Sequence, residues 1–176
     1  MSAAPVIRAA TPADAPALLA IYAPHVERVA TSFEEVPPTA EEFAARIERC
    51  LASHAWLVAE CDGVIAGYAY GSPHRDRAAY RWSVEVSAYV HADFHRRGIA
   101  RALYGRLFDD LAARGYCQAY AGITLPNEAS VGLHRALGFA PIGVFPRVGW
   151  KKGAWHDVMW LHRELLAGAP PDAAAR

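Results

Sequence analysis

A mixed α/β fold, one sheet with helices packed against it, is predicted by three observations. Strand-like runs of alternating polarity, such as Ser83 to Val90, are interleaved with runs of helical period, such as Ile99 to Arg114. Turn and capping residues fall between them, including Thr11-Pro12, Asp62-Gly63, Gly115 and Gly138. The chain has 176 residues, 53% of them hydrophobic, which suffices for one well-buried core and is too short for two ordinary domains. A single domain over residues 1–166 is expected, followed by a frayed tail from Ala167 to Arg176, where small residues surround Pro170-Pro171.

The elements follow in order. Val6 to Arg8 opens as a short strand. Thr11 then supplies an N-cap, Pro12 the first helical position and Asp14 an acid in the first turn, so a helix is expected to about Tyr22, limited by Pro24. Ala23 to Pro38 reads as a connection with room for one more helical turn before Phe33. Thr39 and Glu42 form a capping box, and Phe43, Ile47 and Leu51 recur at helical spacing to the end of a second helix. Trp56 to Cys61, the Asp62-Gly63 turn and Val64 to Gly71 form a hairpin of the two-residue type. In the strand Ser83 to Val90, one face carries Val84, Val86, Ala88 and Val90, and the other Ser83, Glu85, Ser87 and Tyr89. The helix Ile99 to Arg114 has its apolar stripe at Ala102, Leu103, Leu107 and Leu111 and its stop at Gly115. Gln118 to Ile123 is a strand, Ser130 to Leu137 a short helix ended by Gly138, and the strands Ala140 to Arg147 and Asp157 to Arg163 complete the sheet.

Composition narrows the function. The 18 basic and 18 acidic residues balance, so no bulk attraction to nucleic acid or a membrane surface is built in, and neither partner is expected. Met1 to Arg8 holds no apolar signal core, and no window approaches the roughly 20 apolar residues of a membrane span. Cys50, Cys61 and Cys117 are odd in number, without CxxC or zinc-ligand spacing. The expectation is a cytoplasmic protein with no metal site.

The chemistry starts at His95-Arg96-Arg97-Gly98-Ile99-Ala100, a loop between a strand and a helix. The first N–H groups of a helix have no internal partner and sit at the positive end of its dipole, so an anion such as a pyrophosphate satisfies both. Gly98 lets backbone approach a ligand without a Cβ in the way, and Ala100 is nearly as small. Neither the three-glycine dinucleotide fingerprint nor a GxxxxGK[ST] loop is present.

These six residues resemble the [QR]-x-x-G-x-[GA] signature of the Gcn5-related N-acetyltransferases (GNAT), with His95 in place of the usual Gln or Arg. Asn127 to Phe139 resembles the second signature, N-x-x-A/S followed by [YH]-x-x-x-G-F, through Asn127, Ser130, His134, Gly138 and Phe139. The resemblance runs from about Val6 to Leu165. It is nearest to the phosphinothricin and methionine sulfoximine acetyltransferase branch, on Thr31-Ser32-Phe33, Ser83-Val84-Glu85 with Tyr89-Val90, Leu125-Pro126-Asn127 and Trp155-His156-Asp157-Val158.

The resemblance implies a central mixed sheet splayed between its fourth and fifth strands, with acetyl-CoA entering the gap. It implies that His95, Arg96, Arg97, Gly98, Ile99 and Ala100 hold the pyrophosphate. Tyr89 and Val90 then offer main chain to the pantetheine arm, as an added strand would, and Asn127 and Ser130 stand on the same coenzyme. By the same match Glu85 is the catalytic base, acting directly or through an ordered water; its strand position alone reads as a carboxylate on a wet face. A backbone N–H of the Glu85 to Ser87 segment meets the oxyanion, because a preformed main-chain donor costs little reorganisation. His134 lies where many relatives place a tyrosine that protonates the leaving thiolate; it serves as that acid or as a polar contact to the coenzyme.

For the amine, Arg75, Arg77 and Arg81 cluster before the Glu85 strand, and arginine forks bind carboxylates and tetrahedral oxyanions. Arg75 and Arg81 keep the branch's spacing to the acid, Phe33 stands as one wall of the pocket, and His156 shapes its edge or is structural. The implied activity is acetylation of the α-amine of an amino acid with a second polar head, such as phosphinothricin, methionine sulfoximine or methionine sulfone. The alternatives are a protein N-terminus or another small amine as acceptor, or a binding domain that holds acyl-CoA without turnover. A homodimer is implied by the family alone.

Overall fold

The computed structural model describes residues 4–170, so residues 171–176 of the expected tail lie outside the described residues. Its elements are β1 (Val6–Ala9), α1 (Ala15–Glu27), α2 (Ala40–Leu51), β2 (Trp56–Cys61), β3 (Val64–Pro73), β4 (Ser83–Val90), α3 (Ile99–Ala113), β5 (Gln118–Thr124), α4 (Glu128–Ala136), β6 (Ala140–Lys151) and β7 (Ala154–Glu164). Among the described residues the strands form one mixed seven-stranded sheet, ordered β1-β2-β3-β4-β5-β7-β6.

Strand alternation divides the core between two faces of this sheet. Trp56 and Val58 of β2 and Tyr68 of β3 pack against Leu18, Ile21, Tyr22 and Val26 of α1 and Phe43 and Ile47 of α2. Leu57, Ala59, Ala69, Val84 and Val86 point the other way and meet Leu103, Leu107 and Leu111 of α3. The capping box at Thr39 is present: its hydroxyl accepts from the Glu42 N–H, and the Glu42 carboxylate accepts from the Thr39 N–H.

Several boundaries differ from expectation, three of them near the ends of the chain. The helix α1 continues through Pro24 to Glu27. Pro24 removes one N–H···O bond, yet Tyr22 and Val26 on either side are both buried, so the apolar face outweighs that loss near a helix end. The turn Pro12–Asp14 is a separate 3-10 segment ahead of α1, tied by the Asp14 carboxylate to the Thr11 N–H and to Arg8. The final hairpin is longer than predicted, because Pro146 and Gly149 sit at register shifts inside β6 rather than at its end. Its tip is Lys152-Gly153, both at positive φ (52° and 73°), the conformation a two-residue hairpin turn requires.

The sheet opens where the resemblance expects. β4 and β5 pair in parallel only at Ser83↔Gln118, Val84↔Ala119 and Glu85↔Tyr120, and then run on to Val90 and Thr124 without pairing to one another. Backbone N–H and C=O groups on the facing edges of β4 and β5 are thereby left for something other than strand.

Candidate active site

The opening is a cavity of about 150 Å3, lined by Val86, Ser87, Ala88 and Tyr89 from β4 and Ala121, Gly122, Ile123 and Thr124 from β5. Asn127, Ser130, His134 and Tyr104 close one side, and His25 and Thr31 the other. The His25 Nδ1 and the Thr31 hydroxyl are 2.9 Å apart there, and burial lowers the His25 pKa.

At the far end of β4 stands the start of α3. Gly98 is its N-cap at φ 77°, no side chain caps the helix, and its first turn carries no acid. A Cβ added at Gly98 would meet nothing within 4 Å, so the glycine serves the left-handed backbone and not a tight contact. The first intrahelical bond runs from the Ala102 N–H to the Gly98 carbonyl, leaving the preceding N–H groups without helical partners. Ile99 is buried and anchors the turn against the sheet near Gly67, where an added Cβ would stand 3.2 Å from the Ile99 side chain. Arg96, at φ 60°, and Arg97, stacked over the Phe94 ring at 5.1 Å, are exposed beside it, and Ala100 lies within the first turn. His95 is exposed as well, its Nε2 donating to the Val90 carbonyl at 3.0 Å. It ties the loop to the end of β4.

Asn127 is the N-cap of α4, its side-chain oxygen accepting from the Ser130 N–H at 3.1 Å. That cap starts the helix at Glu128, before the predicted Ser130. His134 is 5% exposed. Its Nδ1 lies 2.8 Å from the Ser130 carbonyl, which only accepts, so Nδ1 carries the hydrogen; Nε2 then accepts from the Tyr104 hydroxyl at 3.1 Å. Burial lowers the His134 pKa, and burial raises that of Tyr104.

A second cavity, of about 390 Å3, adjoins the gap through Thr31, Val86, Ser87, Gly122 and Thr124, which line both. Its wall also holds Glu85, Arg75, Phe33 and Trp160. Glu85 sits at the last paired rung of β4 and β5. The Ser87 side chain is hydrogen-bonded to Tyr70, and the Tyr89 ring packs edge-on against Tyr22 at 5.1 Å, while both residues line the gap. Phe33 crosses over Gly149 so closely that a Cβ there would lie 2.3 Å from the ring, and it is backed by His156 at 6.3 Å.

The structure does not bring every expected substrate residue to this cavity. The Arg81 guanidinium donates to the Ala78 carbonyl at 2.9 Å and lies over the Trp82 ring, held by the turn from which it springs. The His156 Nε2 donates to the Lys151 carbonyl at 3.0 Å, a hairpin contact one layer behind Phe33. Sequence reasoning missed His74, whose Nδ1 is 2.9 Å from the Glu85 carboxylate. The usable signal was register: Ser72 pairs with Glu85, so the residue two further along the same strand path lies diagonally beside it.

Comparison with known proteins bears on the family and the fold. The family model of the acetyltransferase (GNAT) domain matches residues 7–160. The chain is 40% identical over 165 residues to a phosphinothricin N-acetyltransferase of Streptomyces viridochromogenes, covering 94% of this chain and 90% of that protein. It is 36% identical over 168 residues to an L-methionine sulfoximine/L-methionine sulfone acetyltransferase of Salmonella typhimurium, covering 95% of this chain and 98% of that one. A solved structure of a GNAT superfamily phosphinothricin acetyltransferase from Sinorhizobium meliloti in complex with acetyl-CoA superposes with a TM-score of 0.92 at 34% identity, over 97% of this chain and 95% of that one. With the splayed sheet, the uncapped glycine-led helix and this coverage, the chain belongs to the GNAT family of acetyltransferases.

Proposed function

We propose that this N-acetyltransferase moves the acetyl group of acetyl-CoA onto the α-amine of a small amino acid analogue, of the phosphinothricin, methionine sulfoximine or methionine sulfone type. The observation that carries the reading is the place of Glu85 and Arg75, together in the wall of a cavity that opens into the gap between β4 and β5. A carboxylate for the amine's proton and a guanidinium for the acceptor's acid head therefore line one cavity, next to a sheet edge fit for a pantetheine arm.

In this reading the main chain of Ser87, Tyr89 and Val90 and the side chains of Asn127 and Ser130 hold the pantetheine, and the turn His95 to Ala100 holds the pyrophosphate. The Val90 carbonyl is shared with His95, so the loop supports the strand as well as the anion. Bound acetyl-CoA supplies an activated thioester. The amine lone pair forms the new N–C bond at its carbonyl carbon, and the C–S bond breaks with its electron pair on sulfur. Glu85 takes the proton from nitrogen directly or through one water, and an unpaired N–H of the Glu85 to Ser87 segment faces the oxyanion. For His134 the hydrogen bonds favour a polar contact over a free acid. A neutral imidazole with Nδ1–H on Ser130 and Nε2 on Tyr104 has no proton to spare. Arg75 reads as the acceptor's clamp and Phe33 as its wall, with His156 steadying Phe33 from behind.

Two wider features belong to the same reading. A homodimer is supported by the apolar residues exposed on the edge strand β6 and its hairpin, Ile142, Val144, Val148, Trp150 and Trp155. A reducing cytoplasm is supported by the three free thiols; among the described residues no helix is long and apolar enough to cross a membrane.

Free thiol release from acetyl-CoA, followed with a panel of amines, tests the proposal. Phosphinothricin and methionine sulfoximine are expected to turn over well above peptides with free N-termini and above simple alkylamines. Preference for peptides moves the acceptor to a protein N-terminus, and no release with any amine leaves a binding domain.

A further inference from the structure

We infer that His74 is a positioning residue for Glu85, a role that rests on the base assignment above. The two side chains meet through one contact, His74 Nδ1 to Glu85 Oε1 at 2.9 Å. An ionised carboxylate only accepts, so the imidazole donates. That hydrogen bond is the only one either side chain makes among the described residues, so Oε2 of Glu85 is left for the amine or its water.

The imidazole is held in place from three directions. It stacks on Tyr120 of β5 at 4.5 Å with 17° between the planes, and Trp160 of β7 and Tyr80 of the turn before β4 meet it edge-on at 6.2 and 5.8 Å. Tyr120 is also the residue opposite Glu85 in the last rung before the sheet opens. The His74 side chain is 14% exposed against 33% for that of Glu85, so the donor is the more sheltered of the pair. A carboxylate in the wall of the cavity is thereby tied by one oxygen to a ring packed against Tyr120, Trp160 and Tyr80. Transfer depends on near-attack geometry, and misplacement by about 1 Å is enough to cost on the order of a hundredfold in rate.

Two substitutions separate donation from packing. His74→Phe keeps a ring for Tyr120 and loses the donor; His74→Asn loses the ring and keeps an N–H close to the place of Nδ1. The expected result is a fall in kcat of about tenfold for His74→Phe, with KM for acetyl-CoA within about twofold of wild type, and recovery of most of kcat in His74→Asn. Wild-type kcat in His74→Phe, or a loss in His74→Asn larger than in His74→Phe, overturns the inference in favour of ring packing. Should Phe fail to fold, His74→Leu removes the donor in its place. Glu85→Gln is measured alongside, alone and combined with His74→Phe. The double variant is expected to be no slower than Glu85→Gln, since His74 acts through that carboxylate; multiplied losses overturn the inference. Wild-type turnover in Glu85→Gln instead removes the base assignment itself, a separate outcome.

Discussion

At the scale of single residues, His134 shows how neighbours decide between two roles that a sequence position leaves open. Its place seven residues after Asn127 is legible, but its protonation is set by the Ser130 carbonyl and the Tyr104 hydroxyl, which no spacing rule reveals. Burial lowers its pKa below the ordinary value of about 6.5, so the unfolded chain binds more protons than the folded one as pH falls beneath that value. The contribution to stability is full above about pH 6.5 and is lost as pH drops toward the folded pKa. His25, lowered in the same way, adds a second group of the same sign. Tm of the wild type is accordingly expected to fall between pH 7 and 5, and His134→Phe to show a shallower fall. An equal pH slope in the variant contradicts the buried neutral imidazole.

At the scale of elements, the hairpin β6–β7 is where sequence and structure part most. The expected strand ends at Arg147, yet β6 runs on to Lys151, with Pro146 and Gly149 absorbed at a register shift because β6 is an edge, where a missing N–H goes unpunished. The result is a strand of 12 residues, exposed along nearly all its length, with Ile142 60% and Val144 43% exposed. A long apolar edge left open invites pairing with another chain. Light scattering behind size exclusion is expected to give a dimer for the wild type and a monomer for Ile142→Lys combined with Val144→Lys; a monomeric wild type contradicts the interface. Other boundaries were legible where local chemistry is strong, as at the Thr39 capping box and the Asp62-Gly63 turn. They were not legible where tertiary burial decides, as in α1 beyond Pro24. His74 is not legible in the sequence for a related reason: the turn residues predict that β3 stops at Gly71, whereas it runs to Pro73 and carries the strand path up to His74 and Glu85's flank.

For the molecule as a whole, function follows from one interruption in an otherwise continuous sheet. Helices on both faces hold β4 and β5 in register through Glu85 and Tyr120, and beyond that rung the strands diverge. The glycine-led turn of α3, the gap and the Glu85 cavity then lie in sequence along one path, which is the order in which a coenzyme's pyrophosphate, its arm and its reactive end would meet them. Motif spacing made the turn and Asn127 readable. The divergence itself came only with the resemblance, since strand periodicity says nothing about where pairing stops. In the proposed reaction Glu85 is the base at the end of that path. The direct measurement is acetyl transfer to phosphinothricin by Glu85→Gln, paired with the Kd for acetyl-CoA. A rate lowered by about 100-fold or more, with Kd within about twofold of wild type, is expected; an unchanged rate, or a loss explained wholly by weaker coenzyme binding, contradicts Glu85 as the base.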